Sequence, residues 1–174
     1  MKDVELRLIS ELMKNGRKSD RELAKAIGVS QPTVTRTRSR LEKEGIIKEY
    51  TMIPDFGKLG FEIACISLIR FTKELTEEEF KELRRYSKDL EMKNPGAVLM
   101  AMNGMGLGFN RVFISFYRNY SSYIKDMNLI KSIPNVDAAH VESFIISLGD
   151  KFHFQPITFS VIANYLLKTK EERT

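Results

Sequence analysis

Between Arg17 and Tyr50 the chain reads RKSDRELAKAIGVSQPTVTRTRSRLEKEGIIKEY, and the glycine near its centre narrows the possible folds more than any other residue. Ser19 stands three residues before Glu22, the spacing of a capping box at the start of a helix. Leu23, Ala24 and Ile27 then form its inner face. Gly28 follows, and only glycine takes a left-handed turn at no steric cost. Val29 plugs the corner, Ser30 caps a second helix, and Pro32 is tolerated in that helix's first turn. The second helix is expected over 31–44, with Gly45 just past its end. Upstream, Val4, Leu6, Leu8, Ile9, Leu12 and Met13 give a helical stripe that Asn15-Gly16 ends.

Placing successive residues about 100° apart puts Val34, Thr37 and Leu41 on one face of the second helix. Pro32, Thr35, Arg36, Ser39 and Lys43 lie opposite, flanked by Gln31, Thr33 and Arg40. That outer face offers hydroxyls, an amide and cations, and a DNA major groove admits such a helix. A helix shaped only for solubility favours Glu, Lys and Ala over these Thr and Ser residues, which are mediocre helix formers. The distribution of charge agrees. Residues 1–60 hold 13 Lys/Arg against 9 Asp/Glu, whereas residues 61–174 hold 15 against 14. The excess positive charge therefore sits on the front segment, as phosphate contacts require. Cys65 is the single cysteine, so no internal disulfide forms, and no apolar run is long enough to span a bilayer. Met1 leads into a charged amphipathic pattern instead of a secretory signal, so a cytoplasmic protein is expected, with Asn119-Tyr120-Ser121 a chance match to a glycosylation site.

The pattern Gly16-Arg17, Glu22-Leu23-Ala24, Gly28-Val29-Ser30, Thr33-Val34, Arg40-Leu41-Glu42 and Gly45-Ile46-Ile47, continuing into Tyr50, Leu59-Gly60 and Phe61, resembles the DNA-binding domain of the Lrp/AsnC (feast/famine) transcriptional regulators. The resemblance covers about 3–61. It implies double-stranded DNA as a partner, with Ser30 through Lys43 in the major groove. Thr35, Arg36 and Ser39 are then expected at base edges, with Ser30, Gln31 and Thr33 beside them. Arg40 and Lys43 are expected at phosphates, with Arg17 and Lys18 reaching the backbone from the preceding loop. Arg38 departs from the pattern, because the family usually has an apolar residue there. Either it snorkels outward to add a phosphate contact, or the helix sits differently.

Beyond a strand expected over 46–53, strands alternate with helices: a strand over 61–71, a helix from Thr76 led by Glu77, Glu78 and Glu79, strands over 97–102 and 112–117, a helix from Ser121 or Ser122 to Ile133, and a strand over 136–148. This βαββαβ order is ferredoxin-like and resembles the ACT/RAM-like sensing domain of the same family. The fold class expected is α+β: a (winged) helix-turn-helix domain over 1–60, then a ferredoxin-like dimerisation and effector domain over 61–174. Residues 155–174 form a C-terminal extension, with Pro156 ahead of an amphipathic helix carrying Ile157, Val161, Ile162, Tyr165, Leu166 and Leu167.

The strands are apolar on both faces, with Phe61, Ile63, Cys65 and Ile69 opposed by Ala64, Ile66 and Leu68. Two helices cover only one side of a sheet. A partner subunit, giving a homodimer or higher even oligomer, or the C-terminal segment must cover the other. Family members bind amino acids at the subunit interface with a loop that carries Gly and a nearby Asp. Here Gly104, Gly106, Gly108 and Asn110 occupy it, without the Asp, as the residues for a small-molecule effector. These glycines join two strands, so a dinucleotide fingerprint is excluded. Neither His140 nor His153 has metal-ligand spacing, and no catalytic constellation, metal site or cofactor is expected. Two alternatives stand beside the regulator: a related enzyme of tetrapyrrole metabolism and a sequence-nonspecific architectural DNA binder.

Overall fold

The computed structural model describes residues 1–91, 96–150, 152 and 157–171. The chain divides into two compact units, Met1–Pro54 with Phe154–Thr174, and Asp55–His153. The C-terminal extension, assigned from sequence to the second domain, thus groups with the first unit. His153 and Pro156 lie outside the described residues.

The first unit contains α1 (Asp3–Lys14), α2 (Asp20–Ile27), α3 (Gln31–Lys43) and α6 (Ser160–Glu171). Leu8, Leu12, Leu23, Ala24, Ile27, Val34 and Leu41 interlock as its core. Ser19 and Glu22 close the capping box on α2, and Gly28 ends that helix at φ +73°. Ser30 accepts from the Thr33 N–H to cap α3. At the far end of α3, Gly45 (φ +69°) donates to the Glu42 carbonyl and Ile46 donates to the Leu41 carbonyl, a Schellman closure. The Ile47 N–H also donates to the Leu41 carbonyl. Ile46 and Ile47 are therefore consumed in ending α3, and no strand forms over 46–53. A strand needs a hydrogen-bonding neighbour, and no residue of this unit is in a strand among those described.

α6 packs on α1 in this unit. Ser10, fully buried on α1, donates its hydroxyl to the Ala163 carbonyl at 3.0 Å, and Ala163 is itself fully buried.

The second unit is an antiparallel sheet in the order β2-β3-β1-β4, built from β1 (Ile63–Phe71), β2 (Gly96–Gly106), β3 (Phe109–Tyr117) and β4 (Val136–Ser147), with α4 (Glu77–Glu91) and α5 (Tyr120–Lys131) between them. Thr76 and Glu79 form the capping box of α4. Asn119, rather than Ser121 or Ser122, caps α5 by accepting from the Ser122 N–H at 2.9 Å. Ile63, Cys65, Ile69 and Tyr117 meet Tyr123, Met127, Ile130 and Ile133 in the core on the helix side. The Tyr117 hydroxyl donates to buried Asp126. Gly96 leaves room for this pair, since a Cβ there would stand 2.5 Å from the Tyr117 ring. β2 and β3 run further than expected, down to the Gly106–Phe109 pair, which leaves a two-residue turn at Leu107 (φ 52°) and Gly108 (φ 80°). Positive φ at both positions is what such a hairpin needs.

Candidate nucleic-acid interface

Val34 and Leu41 are fully buried and fix α3 by one face. Thr37 is half-buried beside them, while Gln31, Pro32, Thr35, Arg36 and Lys43 stand exposed and Ser39 half-buried. The local sequence produces this posture: Ser30 sets where α3 begins, Gly45 where it stops, and the Val34–Leu41 spacing which side turns inward.

The cations on and around α2 and α3 differ in whether they are paired. Among the described residues Arg36 makes only an exposed bond, from Nε to its own helix's Pro32 carbonyl at 3.3 Å. Arg17, Arg21, Lys25 and Lys43 have no ion-pair partner among the described residues. Three others near α3 are held. Lys18 pairs with Glu11 at 2.5 Å. Arg40 pairs with buried Glu5 and with Glu44 at 3.2 Å. Arg38 neither snorkels into solvent nor displaces the helix. Its Nη1 donates to Asp20 Oδ1 at 3.0 Å, its Nε donates to the Tyr50 hydroxyl at 2.8 Å and to Glu42 Oε1 at 3.3 Å, and its guanidinium lies 4.5 Å from the Tyr50 ring centroid. Tyr50 donates to Glu42 at 2.6 Å and closes the network. Ser30 and Thr33 share a hydroxyl–hydroxyl bond of 2.8 Å, and Thr35 donates to Asp20 at 2.7 Å.

Asp20, Glu5 and Tyr50 are the residues that sequence reasoning missed. The i,i+4 spacing of Arg38 and Glu42 was a readable signal. The approach of Asp20 to Thr35 and Arg38 depends on how α2 crosses α3 and left no mark in the sequence.

In the second unit, Asn110 already has a structural task, since its side-chain oxygen accepts from the Phe71 N–H at 3.0 Å. Gly104 and Gly106 line a cavity of about 220 Å³ with Leu68, Met105, Leu107 and Val112. A Cβ at either glycine would meet nothing within 4 Å. His140 is engaged with Asp137 at 2.9 Å and Arg70 at 2.7 Å. On the sheet face opposite the helices, Ile66 aligns with Ile114 and Phe144, and Leu68 with Val112. Leu99, Met102 and Phe144 are 60%, 56% and 68% exposed. Among the described residues no helix is long and apolar enough to cross a membrane, and no group of His, Cys, Asp and Glu could hold a metal ion.

A helix-turn-helix unit with an open cationic face, joined in one chain to a βαββαβ sheet, defines a two-domain protein of the helix-turn-helix class. Residues 1–48 match the family described as winged helix-turn-helix DNA-binding. The HTH-type transcriptional regulator LrpC of Bacillus subtilis is 46% identical over 63 residues, 36% of this chain and 44% of that protein. An uncharacterised HTH-type transcriptional regulator of Pyrococcus furiosus is 34% identical over 91 residues, 52% of this chain and 59% of that protein. The chain thus spans about half the length of the curated relatives it matches. Among solved structures, B. subtilis LrpC is 26% identical with a TM-score of 0.67 over 89% of this chain and 99% of that one. Escherichia coli AsnC (19% identity, TM-score 0.67, 90% and 97% covered) and a Neisseria meningitidis regulator solved with L-Met (17% identity, TM-score 0.73, 95% and 99% covered) share the fold. The front of the chain is thus similar in sequence to a winged helix-turn-helix DNA-binding domain and to that of LrpC, and the chain shares the fold of the solved LrpC and AsnC structures.

Proposed function

We propose that this chain is a transcriptional regulator that reads double-stranded DNA with the outer face of α3 and works as a homodimer. The observation that carries the reading is the split personality of α3: one face wholly buried, the other polar, cationic and free of covering protein within its unit. Gln31, Thr35, Arg36 and Ser39 then face base edges. Lys43 and Arg17 meet phosphates, joined by Arg21 and Lys25 of α2, the helix that crosses the backbone in this motif. Arg38, Arg40 and Lys18 contribute less than their charges suggest, because carboxylates already hold them.

The apolar sheet face around Ile66, Leu68, Ile114 and Phe144 supports the dimer, since exposed contiguous apolar surface of this kind marks an interaction site. A second copy would present a second α3 and allow two half-sites about a helical turn apart to be read together. The cavity beside Gly104 and Gly106 has the size for a small metabolite, and with Asn110 bonded to Phe71, Arg111 is its charged lining residue.

Selection of bound duplexes from a randomised pool by the purified chain tests the reading. Arg36→Ala should then lose roughly ten-fold or more on the selected site and little on random duplex at the same salt, because base contacts discriminate and phosphate contacts do not. Equal loss on both would reduce Arg36 to a phosphate contact, and failure of the wild-type chain to enrich any sequence would overturn specific recognition.

A further inference from the structure

Thr35 sits on the exposed face of α3. Its hydroxyl has one proton, and two acceptors inside the unit compete for it: Asp20 Oδ2 at 2.7 Å and the Gln31 carbonyl at 3.1 Å. Neither an ionised carboxylate nor a carbonyl can donate in return. Asp20 stays ionised, because the Thr35 hydroxyl first, and the Arg38 guanidinium after it, hold its carboxyl below the usual range against the opposing effect of burial. Arg38 is fixed in turn by Tyr50 and Glu42.

We infer that Thr35 is a specificity-determining residue that meets DNA as a hydrogen-bond acceptor only, with Asp20 and Arg38 as the positioning residues that keep its proton turned inward. In the major groove an acceptor is complementary to the exocyclic amino groups, N6 of adenine or N4 of cytosine. It is opposed by O6 and N7 of guanine and O4 of thymine, which are acceptors themselves. The group read by Thr35 in each half-site is therefore an exocyclic amino group, N6 of adenine or N4 of cytosine. This rests on the proposed entry of α3 into the major groove.

Asp20→Asn makes the geometry testable. Arg38 donates to Oδ1, so the amide keeps its oxygen toward Arg38 and turns its nitrogen toward Thr35. That nitrogen donates to the Thr35 oxygen and occupies one lone pair, while the hydroxyl proton passes to the Gln31 carbonyl. The full-length chain and its Thr35→Val, Thr35→Ser and Asp20→Asn variants are taken through the same selection from a randomised duplex pool, with circular dichroism confirming that each variant is folded. At one position per half-site the wild type should demand the exocyclic amino group, and a duplex in which the adenine or cytosine there is replaced by an analogue without it should bind roughly ten-fold more weakly. Thr35→Val, of similar shape but without an acceptor, should lose that demand at that position alone and bind the best wild-type site roughly ten-fold more weakly. Thr35→Ser should keep the demand, and Asp20→Asn, which takes one of the Thr35 lone pairs, should weaken it. The inference is overturned if Thr35→Val and Asp20→Asn select the wild-type motif unchanged, or if the wild type binds equally well when the adenine or cytosine at the position that responds to Thr35→Val is replaced by an analogue lacking the exocyclic amino group. Failure of the wild type to select any motif would remove the DNA reading and this inference with it, a result distinct from a motif that ignores Thr35.

Discussion

Arg36 and Arg38 stand two residues apart on one helix, and the structure gives them opposite work. Arg36 projects from the outer face with only a backbone carbonyl of its own helix for company, whereas Arg38 ties α2, α3 and Tyr50 together. An arginine whose charge is already matched by Asp20 and Glu42 releases few counterions on binding DNA. Arg38→Met should therefore leave the salt dependence of DNA affinity nearly unchanged, while Lys43→Ala should reduce the log–log salt slope by about 1, both read by titration across a salt series. A fall of the same size in Arg38→Met would show that Arg38 is a phosphate contact after all. The carboxylates of the same unit set its acid tolerance. Glu5 is held below the usual carboxylate range first by the Lys2 N–H and then by Arg40, Glu11 by Lys18, Asp20 by Thr35 and Glu22 by Ser19. A carboxyl with a depressed native pKa binds its proton less readily when folded than when unfolded. Its contribution is complete above the unfolded value and is lost as pH falls through the native one. The melting temperature should hold steady at neutral pH and drop as pH falls through and below the usual carboxylate range. Glu11→Gln should make that drop shallower, and an unaltered profile in Glu11→Gln would show that the Lys18–Glu11 pair contributes nothing to acid tolerance.

At the scale of elements, what was legible in the sequence is what local chemistry decides. Ser19, Gly28, Ser30 and Gly45 mark where α2 and α3 begin and end to within a residue, because caps and left-handed turns are properties of a few adjacent residues. Ile46–Ile53 misled because its apolar, β-branched residues have strand character, yet Ile46 and Ile47 turn their N–H groups back onto Leu41. Arg38 misled for a related reason: its partners lie 18 residues back in Asp20 and 12 ahead in Tyr50, beyond any local pattern. α6 was visible as an apolar helix, but Ser10, its buried partner on α1, looked like an ordinary small polar residue of a helix. Deleting 159–174 would leave the buried Ser10 hydroxyl without its acceptor and uncover the α1 surface beneath Ala163. The truncated chain should melt several degrees lower in the transition of the first unit, with the sheet unit's transition unmoved. Equal melting of both forms would make α6 a passenger.

For the molecule as a whole, the proposed dimer rests on the apolar side of the sheet. Ile66 and Ile114, aligned on neighbouring strands, sit near the middle of that surface. A charge there has no partner to meet it, and burying an unpaired charge is costly. Ile66→Asp should convert a dimer of the full-length chain to monomers in light scattering at micromolar concentration. It should also weaken binding to a two-half-site duplex far more than to a single half-site, since only the former draws on linked recognition. Monomers in the wild type at that concentration would remove the sheet face as the assembly surface.

Whether α3 reads the major groove is decided by methylation protection of a selected duplex with dimethyl sulfate. The reagent marks guanine N7 in the major groove and adenine N3 in the minor groove. Bound wild-type chain should protect guanine N7 in two patches about 10 base pairs apart, and Arg36→Ala should lose that protection at one guanine in each patch. Protection confined to adenine N3, or guanine N7 protection unaltered by any change on the outer face of α3, would contradict that reading.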